Sequence, residues 1–207
     1  MKRSLLLVLG LAVMAIAAFA YLGGGDSQRA PSALADDDGP RARAVLRNAA
    51  GDKVGTANFS QEDDGVRVKV RIDAPLATVG AGFHGFHVHA NDNAANGSGC
   101  VPPAFTSADG HLNPGGLGHG NHAGDLPVLL VNDNGSGRAV GEARFETDRF
   151  TVADVIGRAL IVHLSPDNYA HIPTRYSHAT GTGPDSATLA TGDAGDRKAC
   201  GVIQGPD

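Results

Sequence analysis

The chain has 207 residues, with 17 Lys and Arg against 22 Asp and Glu and a formal charge of −5. This mildly acidic balance, without a Lys/Arg cluster, argues against nucleic acid as the partner. The length suits one domain with a tail, and no internal repeat divides it. In chain order, Lys2 and Arg3 precede an apolar run that ends at Ala18-Phe19-Ala20, the layout of an export signal with a small-residue cleavage site. The run from Leu5 to Leu22 is also about the length that spans a bilayer. Residues 1–22 are therefore expected to be an export signal or a membrane anchor. Removing the first 20 residues would shift the formal charge to −7. Residues 23–40, GGGDSQRAPSALADDDGP, have little to bury and are expected to form a flexible linker. The folded domain is expected over 41–207, outside the cytoplasm: periplasmic, cell-surface or secreted.

Eight short stretches follow, rich in β-branched residues and separated by turn chemistry. They are RAVLRN (43–48), KVGTANFS (53–60), VRVKVRID (66–73), FHVHA (86–90), LPVLLVN (126–132), RAVGEARFE (138–146), RALIVHL (158–164) and KACGVIQ (198–204). VRVKVRID alternates apolar and charged residues, the signature of a half-buried strand. With no amphipathic helix evident, the pattern predicts an all-β antiparallel sandwich or barrel. Residues 91–125 and 165–197 are long Gly-, Asn-, Asp-, Ser- and Pro-rich segments, expected as loops. Loops of that length are usually functional or disordered.

Chemistry concentrates around the first of them. In a strand, His87 and His89 project to the same side and could chelate a metal; taken alone the pair is weak evidence, a solvent-facing His-x-His being the commoner case. His111, His119, His122 and Asp125 follow as H-x7-H-x2-H-x2-D, and His163 lies inside an apolar strand, where a hydrogen-bonded core role is the common one. Seven candidate ligands suit two metals better than one. An all-imidazole set suits Cu(II), whereas three histidines and a carboxylate suit tetrahedral zinc. The two cysteines, Cys100 and Cys200, lack zinc-thiolate spacing, and in an exported chain they are expected to pair as a disulfide.

The ordered motifs GFHGFHVH, SADGHLNP, HAGDLP, ALIVHLSPDN and GDAGDRKACGVI resemble those of the copper/zinc superoxide dismutases, from about Arg41 to Ile203. The resemblance implies an eight-stranded Greek-key sandwich or barrel with two long functional loops. It implies copper on His87, His89, His111 and His163, and zinc on His111, His119, His122 and Asp125, so that His111 bridges. Asp167 then resembles the carboxylate that accepts hydrogen bonds from a copper and a zinc histidine. Arg197 resembles the arginine that attracts anions beside the copper. Cys100 and Cys200 match the family's disulfide, and His84 matches a scaffold position that binds no metal. The implied activity is dismutation of the small anion superoxide to dioxygen and hydrogen peroxide by alternating reduction and reoxidation of copper. In this scheme His111 carries a proton and, with Arg197, forms the catalytic pair.

Two departures from the family stand out. The His119–His122 interval is short, and the segment 169–196 lacks the lysine-rich pattern of eukaryotic members, leaving Arg175 as the expected contributor to steering. An exported copper-buffering protein without turnover is the alternative, and a zinc-only structural domain a weaker one. His111, Asp125 and Arg197 favour the enzyme, since a copper buffer needs neither a zinc bridge nor an anion-guiding arginine. Monomer and homodimer are both compatible with the sequence.

Overall fold

In the strand Gly65–Pro75, Val66, Val68, Val70, Ile72 and Ala74 are buried and the alternate positions are not. A period-2 pattern puts all apolar side chains on one face of a sheet. A computed structural model describes residues 39–97 and 99–206. The export segment, and all but the last two residues of the linker expected from the sequence, lie outside the described residues.

The elements are β1 (Arg41–Arg47), β2 (Lys53–Glu62), β3 (Gly65–Pro75), α1 (Leu76–Val79), β4 (Gly82–His84), β5 (Phe86–His89), β6 (Leu129–Asp133), β7 (Arg138–Thr147), α2 (Val152–Val155), β8 (Ala159–His163), β9 (Ser177–His178), β10 (Gly181–Thr182), α3 (Ser186–Thr191) and β11 (Arg197–Gln204). Nine strands form one antiparallel sheet in the order β4-β6-β7-β3-β2-β1-β11-β8-β5. The two end strands, β4 and β5, are consecutive in the chain and separated only by Gly85. The sheet therefore curls into a nearly closed barrel. Its interior is filled by Leu46, Val54, Phe59, Phe86, Val88, Leu160, Val162 and Ile203 among others. Each such side chain contributes about 1.5–3 kcal/mol on burial.

The expected eight strands are all present. A further strand, β4 (Gly82–His84), was not among them, and at Gly85 the chain passes from one end of the sheet to the other. A Cβ at Gly85 would lie 2.6 Å from the Cβ of Ala194, so only glycine allows the backbone this close to the loop before β11. The segment 165–197, expected as loop alone, holds the small β9–β10 hairpin and helix α3.

A smaller cluster of Phe105, Ala108, Ala159, Ile161 and Cys200 lies apart from the main core, with Cys100 packed against it. It docks the first long loop onto β8 and β11. The Cys100–Cys200 disulfide, with Cα atoms 5.5 Å apart, locks that contact.

Candidate metal centre

All four residues of β5 are buried, with Val88 facing the core and His87 and His89 lying beneath the two long loops. β5 pairs with β8, whose last residue is His163. On its other side β5 meets the loop residues themselves, through bridges His87–Asp125 and His89–His111. Short backbone hydrogen bonds from Leu112 N to Val88 O, at 2.8 Å, and from Val88 N to Gly124 O, at 2.9 Å, hold the loop there. The scattered residues of the sequence thus meet at one strand edge.

They meet in two groups that share His111. His87, His89, His111 and His163 each offer one donor atom within 4.8 Å of the others, and so do His111, His119, His122 and Asp125. Hydrogen bonding fixes which nitrogen each ring offers. The Nδ1–H groups of His89 and His163 donate to the carbonyls of Asp109 (2.8 Å) and Gly195 (2.9 Å), and a carbonyl can only accept. Their Nε2 atoms, 3.4 Å apart, are left as lone-pair donors facing one another. His87 has the opposite arrangement: Nε2–H donates to Asp167 Oδ2 at 2.7 Å and buried Nδ1 has no partner. Nε2 of His111 is likewise buried without a partner, while its Nδ1 lies 2.8 Å from Asp125 Oδ1. Buried polar nitrogens without partners are rare and costly unless something else satisfies them. Here they converge.

The second group matches zinc in type, three imidazoles and one carboxylate. Its ring nitrogens close on both oxygens of that carboxylate: His111 Nδ1 and His122 Nδ1 lie 2.8 and 3.3 Å from Asp125 Oδ1, His119 Nδ1 lies 3.3 Å from Oδ2, and His122 Nδ1 is 3.4 Å from His111 Nδ1. The residues present therefore fit a nitrogen-only site for copper and a three-histidine, one-carboxylate site for zinc.

Asp167 joins the groups. Its buried carboxylate accepts from His87 Nε2 at 2.7 Å and from His119 Nε2 at 2.8 Å, and takes a third bond from Tyr169 N at 2.7 Å. Burial opposes ionisation, but these bonds outweigh it and hold the Asp167 carboxyl well below the usual carboxylate range. The same contest, won by His111 and His119, pushes Asp125 down. Burial lowers His87 to about 4 and His163 to about 3, keeping both neutral and available as ligands. Burial also works against His119, yet the carboxylates of Asp125 and Asp167 raise it to about 9.

Arg197 opens β11 directly opposite His163, beside an irregularity in the β8–β11 register that ends at Ala199. Such a break re-aims a side chain. The guanidinium is held by the carbonyls of Phe105 and Asp109, the latter at 2.5 Å. Asp109 O thus receives both Arg197 and the Nδ1–H of His89, tying the cation to a histidine of the first group. Together with His89, His111 and His163, Arg197 lines an open cleft of about 450 Å³. A larger cavity of about 750 Å³ shares Gly195 and Arg197 with it, but no histidine lines that one. The chemistry lies at the smaller one.

His87, His89, His111, His119, His122, Asp125, His163, Asp167 and Arg197 all meet at this centre, whereas the two other histidines of the second long loop, His171 and His178, join neither group. Arg175, expected to steer, lies outside the cleft lining, its guanidinium 4.9 Å over the Tyr176 ring. His84 is buried and donates from Nδ1 to His163 O at 2.8 Å, the expected scaffold role. Tyr169 and Asp109 were not anticipated. Tyr169 stacks on His119 with rings 7° from parallel, and its hydroxyl bonds Val128 N and Leu126 O. Asp109 acts through its backbone carbonyl, which no residue type announces.

Residues 53–203 match the family described as copper/zinc superoxide dismutase (SODC). The chain is 37% identical over 190 residues to the superoxide dismutase (Cu-Zn) of Mycolicibacterium paratuberculosis, covering 87% of this chain and 79% of that protein. It is 38% identical over 188 residues to the superoxide dismutase (Cu-Zn) of Mycobacterium tuberculosis, covering 84% and 76%. Identity to superoxide dismutase (Cu-Zn) 2 of Brassica juncea is 35% over 176 residues, covering 77% and 94%. The matched stretch runs from the first residue of β2 to the penultimate residue of β11 and contains both ligand groups, and the chain belongs to the copper/zinc superoxide dismutase family.

Proposed function

We propose that superoxide is dismuted at the cleft beside Arg197, with His87, His89, His111 and His163 holding copper and His111, His119, His122 and Asp125 holding zinc. The observation that carries this reading is the set of converging ring nitrogens. In His87, His89 and His163 the other nitrogen is committed to a carboxylate or carbonyl, leaving one lone pair directed at the shared space. Bound at these residues, copper would supply a one-electron couple, so that two superoxide anions and two protons yield dioxygen and hydrogen peroxide, and zinc would supply a fixed positive charge to the ligand set that shares His111.

The chain's own residues do the rest. The Arg197 guanidinium concentrates a small anion at the cleft, and its fixation by two carbonyls keeps the cation in place without neutralising it. Nε2 of His111 is the atom that can hold a proton beside that anion. Asp167 orients His87 and His119 together, so a shift of either ring is felt by the other. A domain on this plan needs a cleft open to its substrate, and the apolar signal layout of residues 1–22 supports an exported chain, attached or released outside the cytoplasm.

The test is metal content together with superoxide removal by the copper- and zinc-loaded protein. About one copper and one zinc per chain with rapid removal is the expected result. Bound copper without turnover would favour the buffering alternative, and absence of copper binding would refute the ligand assignment.

A further inference from the structure

Residues 119–125, HGNHAGD, carry three of the four proposed zinc ligands on a turn with no strand or helix of its own. Its geometry must therefore come from hydrogen bonds across it. On the inner side, Asp125 Oδ2 accepts from Gly120 N at 2.7 Å and from His122 N at 3.0 Å. On the outer side, the carbonyls of the same residues are gathered by one side chain. Arg149 donates through Nη1 to His122 O and Asp125 O, both at 3.1 Å, and through Nη2 to Gly120 O at 3.2 Å. Gly120 and His122 are thus held from both faces.

Arg149 is well placed to serve as a clamp. It lies two residues beyond the end of β7 and is followed by buried Phe150, so its backbone is anchored to the barrel. A guanidinium is planar, with donors fixed in a fork, and can hold three carbonyls in one geometry where a flexible ammonium cannot. Arg67, Arg71, Arg138 and Arg158 pair with carboxylates, whereas Arg149 takes part in no ion pair among the described residues. Its polar contacts go mainly to the turn.

We propose that Arg149 is a positioning residue for the zinc site, tying the short ligand turn to the barrel through Gly120, His122 and Asp125. This rests on the zinc assignment made above. The clamp compensates for the brevity of the His119–His122 interval, since a turn this short has few internal contacts to order it.

The test uses the full chain with Arg149→Ala and Arg149→Lys, and Arg144→Ala as the surface control. Zinc affinity is measured by competition with a chromophoric chelator, and site geometry by the visible absorption of cobalt(II) in the zinc position. Arg149→Ala should weaken zinc about 10-fold, the lower end for residues that hold ligands in place. It should alter the cobalt spectrum while leaving the unfolding midpoint of the metal-free protein unchanged. Arg149→Lys should recover only part of the affinity. Affinity within twofold of the parent, an unchanged spectrum, full recovery by lysine, or an equal loss in metal-free stability would each overturn the inference. A parent protein that takes up neither zinc nor cobalt would overturn the zinc assignment and this inference together.

Discussion

Gly192 ends α3 in a left-handed conformation, φ +63°, and its Cα faces the carboxylate that links the two ligand groups. A Cβ built there would lie 1.7 Å from Asp167 Oδ1 and 2.4 Å from His119 Nε2. Neither neighbour is the free end of a flexible side chain, since both are buried and bonded to each other. Gly192→Ala therefore carries two costs. The left-handed backbone costs an alanine about 1–2 kcal/mol. Displacing Asp167 breaks its charge-assisted bonds to His87 and His119, worth about 1.5–3 kcal/mol each. Allowing for partial relaxation, the total is about 4 kcal/mol, or about 10 °C in Tm for a chain of this size. Gly157→Ala separates the two effects: Gly157 has φ +84° and nothing within 4 Å of its would-be Cβ, so only the backbone cost applies. The assay is urea unfolding of the metal-free, disulfide-intact protein, where bound metal cannot complicate the transition. If both variants lose the same stability within about 0.5 kcal/mol, the steric argument, and with it the centrality of Asp167, is wrong.

Three further outcomes are expected. Asp167→Asn keeps one acceptor oxygen but sets an amide N–H against one of two imidazole N–H groups, so zinc affinity by chelator competition should fall about 10- to 100-fold; unaltered affinity would remove Asp167 from its linking role. Arg197→Ala should lower kcat/KM for superoxide about tenfold and flatten its dependence on ionic strength, with a smaller flattening for Arg175→Ala. Salt profiles superimposable on the parent's would exclude both side chains from steering. Cys100→Ser opens a closure spanning 100 residues and should cost about 4–5 kcal/mol in the chain-entropy account. A denaturation midpoint unmoved from that of the oxidised parent would show that the small Phe105–Ile161 cluster alone docks the loop.

The barrel strands were legible because one side of each faces the core, and a period of two leaves its mark on β3 as plainly as in any exposed sheet. The break at Gly85 was not, since it depends on the close approach of Ala194, more than 100 residues away. Helix α3 escaped notice because six residues are too few to show periodicity, although Asp185 before it and Gly192 after it are ordinary helix-end residues. At the metal centre, histidine spacing identified ligand candidates, and sequence order beyond that suggested their family. What no spacing could supply was the choice of nitrogen on each ring, which is decided by backbone carbonyls at Asp109 and Gly195 and by the shared carboxylate of Asp167. Arg149 was likewise invisible, being an ordinary surface arginine until the turn it holds is seen.

The bridges from His87 to Asp125 and from His89 to His111 have another effect. A strand at the end of a sheet offers unpaired N–H and C=O groups to any other extended chain, and proteins avoid aggregation by covering such edges. Here β5 is one of the two end strands, its four side chains are all buried, and the cover over Val88 is the ligand loop itself, through Leu112 and Gly124. Whatever keeps that loop in order also keeps a sticky edge out of reach of neighbouring molecules. The order of that loop and the protection of the edge are therefore two readings of one contact, and loosening the loop would expose the backbone of β5 to another extended chain.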